Sequence, residues 1–126
     1  VDHITLLRPD EAVRLDSDQL GELYDQLGEA GAEDVVCRAM EELAARLTHA
    51  ERLYRSEEQA EMRKNVRSLV GISEQIGMWS LARAAQNVIN CIDAADRVAL
   101  AATLARLLRI GEQSLSAVWD LQDLSI

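Results

Sequence analysis

Asn65-Val66-Arg67-Ser68-Leu69-Val70-Gly71-Ile72-Ser73-Glu74-Gln75-Ile76-Gly77 is the stretch that decides the fold. Val66, Leu69, Ser73 and Ile76 recur at steps of three and four, and Met62 extends the same row backward. That period describes one buried stripe of an α-helix, with Val70 and Ile72 on its shoulders. Gly77 stands where a left-handed residue would end the helix. Upstream, Ser56-Glu57-Glu58-Gln59 has the form of a capping box, which predicts a helix start near Glu57.

The same logic extends in both directions. Asp16, Ser17 and Asp18 offer N-caps for a helix carrying Leu20, Leu23, Tyr24 and Leu27, closed by Gly28 and Gly31. From about Glu33 to Arg55 the residues Val36, Met40, Leu43, Leu47, Ala50 and Tyr54 form a second narrow stripe. Downstream, Leu81, Ala84, Ala85, Val88 and Ile92 predict a helix from Trp79 or Ser80 to about Ala94. Asp93 or Asp96 can cap a last helix bearing Leu100, Leu104, Leu107, Leu108, Gly111, Leu115 and Val118.

Short polar joints between long amphipathic helices favour antiparallel neighbours. The expected fold is all-α: an up-down-up-down antiparallel four-helix bundle with an additional N-terminal helix. Residues 1–15, interrupted by Pro9, read as an N-terminal arm, and residues 16–126 as one bundle domain.

Composition narrows the function classes. A hydrophobic fraction of 48% with one proline points to a folded chain, and 126 residues can bury a core without metal or disulfide support. The net charge of −9 argues against nucleic acid and anionic membrane as partners. No apolar run approaches the roughly 20 residues needed to cross a bilayer, so the expected compartment is the cytoplasm. His3 and His49 belong to no ligand-spaced cluster, which leaves no expected metal or cofactor. Cys37 and Cys91 lie beside apolar stripes and read as small buried hydrophobes.

No serine-histidine-acid set, paired carboxylates or phosphate loop stands out, so no catalytic residue is expected. Trp79 and Trp119, near helix ends, are either core plugs or exposed anchors of a structural homodimer.

What the decisive helix shows to solvent is more specific. With the buried stripe at zero, Arg63 falls at about 100°, Arg67 at about 140°, Gly71 at about 180° and Lys64 at about 200°. Arg63, Lys64, Arg67 and Gly71, with Glu74 beyond them, are the candidate partner-binding residues. A glycine in an exposed helix interior costs on the order of 1 kcal/mol relative to alanine. Two explanations stand side by side: neutral drift, or a need for something to approach the backbone closely one turn beyond Arg67.

Val66-Arg67-Ser68-Leu69-Val70-Gly71, followed by Ile76-Gly77-Met78 and Leu81-Ala82, resembles the third-helix signature of histidine-containing phosphotransfer domains. That signature reads roughly Ala-His-x-Leu-Lys-Gly, with a later glycine and a leucine-rich helix. The similarity of pattern covers about Leu15 to Leu121. It implies docking of this helix over the carboxylate cluster of a response-regulator receiver domain.

Arg67, however, occupies the position of the phospho-accepting histidine, and Val70 that of a nearby lysine. A guanidinium remains protonated and has no lone pair to attack an aspartyl phosphate. The resemblance therefore implies a degenerate member, an adaptor or decoy that binds a receiver without exchanging phosphate. The alternatives are phosphotransfer through His49, on a helix with no neighbouring glycine, and a homodimerising helical module.

Overall fold

The computed structural model describes residues 17–124, with side-chain environments for residues 18–120. The arm expected over residues 1–15, and the cap at Asp16, lie outside the described residues. Within them the chain is helical throughout, with no strand. Four elements follow one another: α1 Ser17–Arg55, α2 Gln59–Gln75, α3 Trp79–Asp93 and α4 Arg97–Leu124.

α1 is interrupted at Gly28, whose φ of 74° and ψ of 172° leave the helical region. Glycine reaches that conformation without the Cβ clash any other residue would suffer. The break expected from Gly28 is thus present. Gly31 does not close anything; the helix resumes directly after Gly28, ahead of the expected start at Glu33.

Helices adjacent in sequence pack on one another, and α4 returns against α1 over a shorter seam. The diagonal pairs α1/α3 and α2/α4 make no close backbone approach among the described residues. The result is a helical bundle with one core, in which Leu43, Met62, Leu69, Ile76, Leu81, Leu107 and Ile110 are fully buried. The expected α2 stripe of Met62, Val66, Leu69, Ser73 and Ile76 lines that core, and Val70 and Ile72 pack at its edge. Buried Ser73 satisfies its hydroxyl by donating to the Leu69 carbonyl at 2.7 Å, which explains its place in an apolar row.

The joints share one chemistry that the sequence displays only once. Glu57, Gly77 and Ala95 all have positive φ, at 57°, 74° and 55°. After each, an amide reaches back five residues to the preceding helix: Glu58 to Leu53, Met78 to Ser73, and Asp96 to Cys91. This is the Schellman ending that satisfies orphan helix carbonyls.

The capping box expected at Ser56 is therefore not formed. The Ser56 and Glu57 amides donate back to Arg52 and Tyr54, so both residues belong to the end of α1. α2 starts instead at Gln59, after Glu58, with no side-chain cap. At the last joint the Asp96 carboxylate does accept the Ala99 amide at 3.0 Å, the cap expected for α4.

Cys37 also departs from expectation. It is exposed, whereas Cys91 is half-buried against the core. The stripe of α1 turns Met40 and Leu43 inward, and Cys37 falls just outside the arc that the sparse α1/α4 seam can cover. Trp79 and Trp119 are both exposed rather than core plugs.

Candidate functional site

The outward side of α2 is held in place from both flanks. On the α1 flank, Asn65 is buried, and its amide donates to the Arg46 carbonyl at 2.8 Å. Its own oxygen accepts from the Arg46 guanidinium at 3.3 Å. Arg46 in turn grips Glu42 through Nε at 3.0 Å and a terminal nitrogen at 2.9 Å. A buried side-chain amide with both ends satisfied fixes the rotation of α2 about its axis, since any slip leaves polar groups unpaired in the interface.

On the α3 flank, Arg63 makes a forked pair with Asp93, at 2.7 Å and 3.1 Å. This hydrogen bond is the main cause holding the Asp93 carboxyl below its ordinary range and the Arg63 guanidinium above its own. The pair joins the start of α2 to the end of α3. At the other end of α2 the Gln19 amide donates to the Glu74 and Gln75 carbonyls, at 2.6 Å and 2.8 Å, capping the helix from the segment before Gly28.

Between these anchors lies the solvent face. Lys64, Arg67, Ser68, Gly71, Glu74 and Gln75 are exposed. Lys64 leans back toward Glu61 at 3.4 Å. Arg67 makes no ion pair or hydrogen bond among the described residues. A Cβ added at Gly71 would meet no atom within 4 Å. Nothing among the described residues requires that glycine.

Of the residues singled out in the sequence, Lys64, Arg67, Gly71 and Glu74 thus share one open helix face. Arg63 is half-buried and committed sideways to Asp93. The basic character of the face is consequently concentrated in Arg67. His49 lies exposed on α1. Among the described residues, no group of three or more His, Cys, Asp or Glu side chains is placed to hold a metal ion.

The anchoring residues were not foreseen. Asn65 carried a usable signal, since it falls about 60° from the centre of the buried stripe on the α2 wheel, a polar residue on the inward side. Asp93 and Gln19 carried none, because their partners are distant in sequence and only the packing of the helices brings them together.

The arrangement offers a guanidinium that cannot accept a phosphoryl group, beside a stretch of backbone left uncovered. It can bind an acidic group closely. No family model, no curated protein and no solved structure matches the chain, so what this face does is read from its own residues.

Proposed function

We propose that this chain is a non-catalytic, phosphotransfer-like adaptor or decoy of two-component signalling that docks on a response-regulator receiver domain through the exposed face of α2. In this reading the bundle is up-down-up-down and antiparallel, with the segment before Gly28 as an additional N-terminal helix, and the protein works in the cytoplasm. Gly71 carries the proposal: it accepts the helix-propensity cost of glycine at a position where no neighbouring atom excludes a side chain. Clearance for an outside partner accounts for that cost.

Arg67, one turn earlier and unpaired among the described residues, supplies a charge-assisted contact to a carboxylate of the receiver. Lys64, Arg63 and Glu74 frame it. The resemblance to phosphotransfer domains names the partner, and the chemistry of arginine removes the transfer step.

Calorimetric titration with receiver domains from the source organism tests this. Wild type is expected to bind, with Arg67→Ala and Gly71→Glu each weakening binding about tenfold or more. Unchanged affinity in both variants would disprove the docking face. Incubation with a phosphorylated receiver is expected to leave no acid-labile phosphate on the chain. Labelling lost in His49→Ala would instead establish an active phosphotransfer protein.

A further inference from the structure

The bundle carries a second exposed face that the α2 site does not use. Along the α1/α4 seam, Cys37, Met40, Glu41, Ala44, Leu115 and Trp119 line a groove of about 230 Å³. Trp119 stands 58% exposed at its edge, the most exposed aromatic residue among those described. Tyr24 adjoins the same region. Its hydroxyl is held above the ordinary value by partial burial and then by the fields of Glu33, Glu29 and Cys37.

An apolar groove beside an exposed tryptophan marks a contact surface on energetic grounds. The charges around it select the occupant. Glu41 lines the groove, Glu29 and Glu33 act on neighbouring Tyr24, and among the described residues no lysine or arginine lines the groove.

A second copy of this chain would bring these carboxylates against their own equivalents, and an anionic lipid surface would be repelled in the same way. A partner with apolar anchors and basic flanks meets the opposite situation. We propose that the α1/α4 face is a docking surface for a cationic amphipathic helix, which lays its apolar stripe along Ala44, Leu115 and Trp119 and its lysines or arginines against the acidic rim. The face lies on the seam across the bundle from α2/α3, so it and the Arg67 face can be occupied together.

The test uses the full chain with Trp79→Phe as background, leaving Trp119 as its single tryptophan. The probe is a synthetic 18-residue helix of leucine and lysine arranged with one apolar face, roughly five turns long. A scrambled peptide of the same composition is the control. The expected result is a blue shift of Trp119 emission on binding the amphipathic probe, with the scrambled peptide about tenfold weaker or worse. Leu115→Asp and Glu41→Lys should each weaken binding about tenfold, and Arg67→Glu should leave it unchanged.

Two results would overturn the proposal. One is equal binding of the scrambled peptide, which would mean that overall charge alone attracts it. The other is a dimer in sedimentation that Trp119→Ala dissolves, which would assign the face to a second copy. Trp119 is exposed, so that alanine variant leaves the core intact.

Discussion

Gly71 and Gly111 are both helix-interior glycines, and they solve opposite problems. A Cβ at Gly111 would lie 2.5 Å from Leu47 Cδ1 and 3.0 Å from Cδ2, inside the α1/α4 seam. A Cβ at Gly71 would touch nothing. At the first glycine the protein packs on itself, and an added side chain must displace the end of Leu47. The second has no cause among the described residues, and the proposed partner on α2 would supply an external one. The same residue type therefore has a packing role in one helix and, in the proposed reading, a recognition role in the other.

The widest separation of the two should come from adding side chains. Gly111→Val forces Leu47 out of a packed position and should destabilise the fold by about 1–3 kcal/mol, read as a lower urea midpoint with unchanged slope. A midpoint unchanged by this substitution would break the contrast, because Gly111 would then be as unconstrained as Gly71.

A glycine can also be added where the backbone asks for one. Ala95 has φ of 55° at the α3/α4 joint, where Gly77 performs the same turn between α2 and α3. Ala95→Gly relieves the left-handed strain and should stabilise by about 1 kcal/mol in the same urea experiment. Next in size, Gly71→Ala should stabilise by about 0.5–1 kcal/mol, since helix propensity rises and nothing clashes. Its thermal midpoint should increase while receiver binding falls. A gain in stability with no loss of binding would leave neutral drift as the reason for the glycine.

The smallest expected effect concerns the flank of the α2 face. The Asp93 carboxyl is held below its ordinary value of 3.8 in the folded protein by Arg63. A depressed folded value means that the pair contributes stability above the unfolded value and loses it as pH falls through the folded one. The difference in thermal midpoint between wild type and Asp93→Asn should therefore be present at neutral pH and shrink below about pH 4. Solvent reaches both side chains, so the difference should also fade at high salt.

Much of the helical frame was legible because it rests on local periodicity. Met62, Val66, Leu69, Ser73 and Ile76 predicted the buried side of α2, Gly77 its end, and Gly28 the break in α1. The joint at Glu57 was misread because a capping box and a Schellman ending can occupy the same few residues, and only the backbone of Glu57 distinguishes them. Ala95 gave no sign of its left-handed turn, since alanine adopts it only when the flanking helices impose it.

Cys37 was misplaced for a related reason. A position at the edge of an apolar stripe is buried only if a neighbouring helix reaches it, and the α1/α4 seam is too short to do so. For the candidate site, the exposed positions of Arg67 and Gly71 followed from the helical wheel. That Arg63 is engaged by Asp93, and that Asn65 locks α2 against α1, depends on tertiary packing that no local pattern encodes.

The most direct test of the α2 face is receiver capture by immobilised wild type, Arg67→Glu and Gly71→Ala protein, compared side by side at equal loading. Retention of a receiver domain by wild type, lost with Arg67→Glu and reduced with the more stable Gly71→Ala, is the predicted result. Equal retention by all three would contradict it, and with it the external cause assigned to Gly71.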